Sequence, residues 1–173
     1  MEPEPSGSLL SAILIVLALI IVAALFVAAE IAQISLRESQ VKQMALRGKR
    51  GRRVAKLAEN PNRMLAGVQV GVTFCGFLSA ALGAEKLGVH FIPWLVDRGI
   101  SEKSANTISL VTVTIVIAYI SLVLGELVPK RLALFRTEAI ALWSAAAVDV
   151  IANIFRPIIW LLSKSTDFVV RIF

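Results

Sequence analysis

The sequence predicts an all-α integral membrane fold, with three transmembrane helices and further helices at the membrane interface. Three observations carry this. Of 173 residues, 57% are hydrophobic and 17% charged, with a mean hydropathy of +0.80. Leu9–Ala29, Met64–Ala84 and Ala105–Gly125 each lack Asp, Glu, Lys, Arg and His. A bilayer core needs roughly 20 such residues as a helix, so each block is long enough to span it. The basic residues, which give a net charge of +6, gather between the first two blocks. A soluble core would instead require helices with no polar face, repeated three times in a short chain.

The first eight residues, MEPEPSGS, are acidic and rich in Pro, Ser and Gly. They read as an extracellular tail rather than the positive n-region of a signal peptide, and the apolar run behind them is longer than a signal core. LFVAAE offers small residues resembling a cleavage site, so cleavage stands as the alternative. The core, residues 9–136, holds the three spans. Its basic connection at 37–63 contains Lys42, Arg47, Lys49, Arg50, Arg52, Arg53, Lys56 and Arg63. By the positive-inside rule it is cytoplasmic, which puts the N-terminus outside and the C-terminal region in the cytoplasm of a multi-pass plasma-membrane protein.

Within that connection no proline falls between Arg37 and Ala58, and Gly48 and Gly51 flank a basic turn between two short helices. No aromatic residue is interleaved with the cations at 42–56, which argues against nucleic acid. Anionic lipid headgroups are the expected partner there. Asn60 before Pro61 breaks the chain, and Pro61 suits the first turn of the second span. Residues 85–104 balance acid and base as an external loop. Residues 137–173 carry Asp149, Arg156, Lys164 and Pro157. Such regular charge favours two juxtamembrane helices at the inner interface over a fourth span.

Chemistry has few groups to work with. Cys75 is the only cysteine and His90 the only histidine, so no disulfide or cysteine metal cluster can form within the chain. No nucleophilic triad or phosphate-binding glycine loop appears, and no enzymatic activity is expected. Membrane-depth polarity is what remains. Glu30 ends the first uncharged run and Glu126 the third. In SLVLGELVPKRLALFR, Gly125 precedes Glu126, and Pro129 cannot donate a backbone hydrogen bond to the Gly125 carbonyl. A carboxylate beside a freed carbonyl suits a hard cation, and interrupted helices at membrane depth recur at ion sites. The second span adds Gly67, Gly71 and Gly76 with Gln69, Thr73 and Ser79. Oxygen donors alone point to Mg²⁺, Ca²⁺, Na⁺ or K⁺, and one or two carboxylates with retained water to Mg²⁺.

LFVAAEIAQISLRESQVKQMALRGKRGRRVAKLAENPNRMLAGVQVGVT, LGELVPKRLALFRTEAIALW and RPIIWLLS together resemble the membrane domain of the CNNM/CorC (hemolysin-related) family. The most specific element is Gly125-Glu126-x-x-Pro129-Lys130. The resemblance implies an exporter of cytosolic Mg²⁺, Na⁺-coupled in some members, that dimerises through the membrane domain and is followed by cytosolic CBS domains. It also implies an inward-facing metal site on Glu126, with Gly125 and Ala28 as backbone contributors and Thr73, Glu30 and Gly76 beside them. Pro129 and Gly71 would shape the helices, and Lys130 would anchor at the interface. Many members carry serine where Val27 stands and asparagine near Val72 and Gly76, so here backbone carbonyls, Thr73 and Glu30 are the remaining donors. A non-transporting scaffold or sensor for cytosolic regulatory domains is the alternative.

Overall fold

The computed structural model describes residues 6–172, and all regular structure in them is helical. In chain order these are α1 (Ser6–Ile34), α2 (Glu38–Leu46), α3 (Lys49–Glu59), α4 (Pro61–Val96) and α5 (Glu102–Ile120). A π-helical segment (Ser121–Leu127) follows, then α6 (Val128–Phe135), α7 (Thr137–Ile154) and α8 (Arg156–Val170). The expected tail at 1–8 lies outside the described residues over 1–5, and α1 already begins at Ser6.

Four helical stretches are long and apolar enough to cross a membrane: Leu9–Ile34, Pro61–Val96, Glu102–Phe135 and Thr137–Ile154. The first three contain the blocks read from the sequence. The fourth, α7, has 18 residues, about 27 Å at 1.5 Å per residue, so length and composition alone leave the number of crossings at three or four. The second and third stretches are also longer than expected. Residues 85–96 continue α4 instead of forming a loop, and only residues 97–101 connect it to α5. There Arg98 stacks over the Trp94 ring at 3.5 Å, and Trp94 stacks on Phe91 at 5.0 Å.

The chain divides into two compact units. The first comprises the chain up to Ala24 together with Thr73–Leu127, and the second comprises Leu25–Val72 and Val128–Phe173. In the first unit Val16, Ile20 and Ile117 are buried together, flanked by Leu87, Val113 and Ile120. Ser109 is buried and donates its hydroxyl to the Gly88 carbonyl at 2.6 Å. Close backbone approach and hydroxyl-to-carbonyl bonds of this kind hold helices together where lipid removes the hydrophobic drive.

In the second unit the basic connection forms a helical hairpin. Gly48 turns the chain between α2 and α3 with φ +99°, a conformation that favours glycine. Gly51 lies inside α3 rather than in the turn, and its need for glycine is steric: a Cβ there would overlap the Met44 carbonyl oxygen. Gln40 ties the start of α2: its Oε1 accepts from the Arg37 N–H at 3.0 Å, and its Nε2 donates to Glu138 of α7 at 3.0 Å. On the exposed side of α2, Lys42 and Glu38 pair at 2.6 Å, which holds the carboxyl below and the ammonium above their ordinary values.

The core of this unit gathers Ala29 and Ala32 of α1, Met44, Val54, Leu57, Met64 and Val68, with Ala141, Ala145 and Val148 of α7. Where such apolar side chains leave water, each larger one contributes about 1.5–3 kcal/mol. The small residues of α7 recur every three or four positions, so α3 can lie close along it. Three polar contacts mark that side of α7: Arg47–Glu138 at 3.3 Å, Lys56–Asp149 at 3.4 Å and Arg63–Asn153 at 2.8 Å.

Candidate cation site

Glu126 sits in the π-helical segment, half-buried, next to buried Gly125. A π-helix pairs residues five apart, and such segments occur as local bulges at functional positions. The return to α pairing at Val128 skips a carbonyl, and Pro129 supplies no N–H. Both effects fall on the carbonyls of Leu124 and Gly125, five and four residues before the proline. The sequence motif thus has a definite backbone consequence: a carboxylate and under-used carbonyls on one turn. A Cβ at Gly125 would stand 3.6 Å from the Ile20 side chain and 3.7 Å from the Ile20 carbonyl oxygen. That is ordinary contact, so steric need alone does not account for glycine here.

The other candidates are placed as follows. Within the first unit, Thr73 and Gly76 lie on exposed positions of α4, and nothing stands within 4 Å of a Cβ built on Gly76. Gly76 therefore packs against nothing in its own unit, unlike Gly83, where a Cβ would overlap Ile117. In the second unit, Ala28 and Glu30 are half-buried on α1, and Val27 is buried. Gly71 is buried against Phe26, whose ring would lie 2.9 Å from a Cβ. Pro129 is buried and Lys130 half-buried. The candidates thus fall in both units, with Gly125 and Glu126 sharing a turn in the first.

Among the described residues no group of three His, Cys, Asp or Glu could hold a metal. A cation at Glu126 would rest on one carboxylate with carbonyl and hydroxyl oxygens, water completing its shell, which is a coordination style that suits Mg²⁺. His90 keeps to itself: its Nδ1 lies 3.0 Å from the Lys86 carbonyl, one turn back on the same helix.

Several polar residues that organise the second unit escaped sequence reasoning. Gln33 is buried and donates Nε2 to the Ala141 carbonyl at 3.2 Å. Its signal was visible as an amide close behind Glu30, but its partner lies more than a hundred positions away. Glu138, an acid in the first turn of α7 on which the sequence analysis is silent, receives both Gln40 and Arg47.

Comparison with known proteins agrees with this architecture. The family model described as the Cyclin M transmembrane N-terminal domain (CNNM) matches residues 14–173. The UPF0053 protein sll0260 of Synechocystis is 40% identical over 86% of this chain and 33% of its own length. The UPF0053 protein YrkA of Bacillus subtilis is 31% identical over 86% of the chain and 34% of its own. The polyamine export protein of Haemophilus influenzae is 27% identical over 95% of the chain and 38% of its own. The chain thus spans about a third of the length of these relatives. With long apolar helices, an all-helical fold and a family match across nearly its whole length, this chain belongs to the CNNM family and is its transmembrane domain.

Proposed function

We propose that this membrane domain exports a cation from the cytosol, Mg²⁺ in the first instance, with Glu126 as the charged ligand. The observation that carries the reading is the π-helical turn, which sets Glu126 beside Gly125 immediately before Pro129. Gly125 supplies a carbonyl, and Thr73 is the candidate hydroxyl in the same unit. Ala28, Glu30 and Gly76 are tested by substitution in their own right. Na⁺ exchange drives the cycle in this reading, the working form is a homodimer, and CBS domains follow in the full-length protein.

The same reading lays α7 in the membrane plane, so that the chain crosses three times, with its N-terminus outside. The charged helix α3 lies along α7, and Glu138, Asp149 and Asn153 meet cations or their donors along most of its length. A crossing α7 would draw that charge to bilayer depth, at about 2.5–3.5 kcal/mol per central Lys or Arg even on the mildest scale.

A second reading follows from the relative named as a polyamine exporter. One carboxylate with several carbonyl acceptors also matches an ammonium, which has donors and no acceptor. Vesicles containing the protein and loaded with Mg²⁺ or with spermidine separate the two. Mg²⁺ efflux that falls to background in Glu126→Gln and Glu126→Ala supports the first; spermidine efflux with the same dependence supports the second. A parent protein that moves neither is a scaffold or sensor. Flux untouched by both changes would remove Glu126 from the site.

A further inference from the structure

Between α4 and α5 the first unit leaves a groove open at its surface. A recess of about 440 Å³ touches Ala81, Ala84, Glu85, Asn106 and Leu110. A second, of about 360 Å³, touches Glu102 and Lys103. Ile92 and Asn106 border both, so the two recesses are neighbours along one groove. On α4, Ala81, Glu85, Gly88 and Ile92 recur every three or four positions, and on α5 so do Lys103, Asn106 and Leu110. Each helix therefore gives a single face to the groove. The bond from the Ser109 hydroxyl to the Gly88 carbonyl fixes where the two faces meet.

Polarity changes along the groove. Beside Ile92, Trp94 stacks on Phe91 and carries Arg98 over its ring, an amphipathic cluster of the kind that settles at headgroup level. The end of the groove formed by Ile92, Glu102 and Lys103 shares that level. The opposite end, at Ala81, Ala84 and Leu110, lies within the uncharged runs Met64–Ala84 and Ala105–Gly125, which have the length of the hydrocarbon core. Glu85 directly follows the first run and Asn106 stands at the head of the second, so both mark the boundary between the two regions. A slot that is charged at headgroup level and apolar below it has the profile of a phospholipid.

We propose that this groove binds one phospholipid with a primary-amine headgroup, of the phosphatidylethanolamine type. Lys103 meets the phosphate, Glu102 accepts from the ammonium, Asn106 donates to the ester oxygens, and an acyl chain lies over Ala84, Ala81 and Leu110. Charge selects the headgroup. Two carboxylates against one lysine leave the groove acidic, which disfavours phosphatidylglycerol. Glu85 and Glu102 join no ion pair among the described residues, so their oxygens are open to an N–H donor. A choline headgroup has no N–H to give, whereas a primary ammonium has three. A water-soluble amine would leave the apolar end of the groove empty. The site is separate from the Glu126 turn and does not rest on the cation reading.

The test uses the whole chain in detergent with phosphatidylethanolamine, phosphatidylcholine or phosphatidylglycerol of the same acyl chains, read by native mass spectrometry and by melting temperature. The parent retains one phosphatidylethanolamine per chain about tenfold or more tightly than either other lipid, and that lipid alone raises the melting temperature. Glu85→Gln combined with Glu102→Gln removes the preference, with lipid-free melting as in the parent. Ala81→Trp, at an exposed position, fills the apolar end and removes retention of all three lipids. Equal retention of the three lipids by the parent, or a preference that survives both variants, overturns the proposal. Spermidine that displaces the lipid, depends on the two carboxylates and ignores Ala81→Trp also overturns it, giving the groove to a soluble polyammonium instead.

Discussion

Gln33, near the end of α1, donates its Nε2 to the carbonyl of Ala141 in α7 at 3.2 Å, with both residues buried. Its Oε1 meets no donor. The amide therefore gains one hydrogen bond and leaves one acceptor unsatisfied, and the two effects nearly offset: about 1 kcal/mol for the bond against about 1–3 for the orphaned atom. Gln33→Met, which keeps the volume and removes both, should alter stability by no more than about 1 kcal/mol. Gln33→Glu replaces the donor with a charge facing a carbonyl oxygen and should cost at least about 2 kcal/mol. Melting curves in detergent at neutral pH read the difference. A Glu variant as stable as the parent would show that Gln33 does not hold this contact.

The glycines should separate by what a methyl group meets. Gly51→Ala drives a Cβ into the Met44 carbonyl of the adjoining helix, and the backbone must move, so this variant should lose the α2–α3 hairpin or unfold. Gly71→Ala meets the Phe26 ring, which can shift, at about 1–3 kcal/mol for overpacking. Gly76→Ala meets nothing and should stay within about 0.5 kcal/mol of the parent. Proteolysis of the 37–63 segment and thermal melting rank the three, and damage by Gly76→Ala equal to that by Gly51→Ala would contradict the packing.

Pro129→Ala restores a backbone donor one turn after Gly125. The helix interior gains up to about 3 kcal/mol of propensity, so the fold should hold or strengthen. The carbonyl it now engages is withdrawn from any cation. The expected result is an unchanged or higher melting temperature in buffer, with a smaller rise on adding Mg²⁺ than the parent shows, since a ligand stabilises only the state that binds it. An undiminished Mg²⁺ response would separate the π-helical turn from binding.

The contacts along α7 are individually weak because their partners are half open to water: Arg47 and Glu138 side chains are 56% and 41% exposed. Glu138→Ala removes both the Gln40 and Arg47 contacts and should cost about 0.5–1.5 kcal/mol. Asp149→Ala should cost less than about 1 kcal/mol. Faster hydrogen exchange in α2 for Glu138→Ala, with α5 unaffected, is the signature to look for. Uniform protection in α2 would mean that apolar packing alone holds the hairpin.

Uncharged runs of membrane length, a cationic connection and a glycine–glutamate–proline element are local facts. The sequence therefore determined that the chain is helical and membrane-embedded, that a helix begins at Pro61, and that the third span carries an interruption at Glu126. Local pattern could not show how far α4 runs past its apolar block, because charged residues continue a helix as readily as they form a loop. Nor could it place Gly51, whose need is set by a carbonyl on another helix.

The tertiary structure alone decided the partners: Gln33 with Ala141, Glu138 with Gln40 and Arg47, Gly71 with Phe26. Side chains brought together from opposite ends of a chain leave no periodic trace in it, whereas solvent preference and backbone chemistry are written residue by residue.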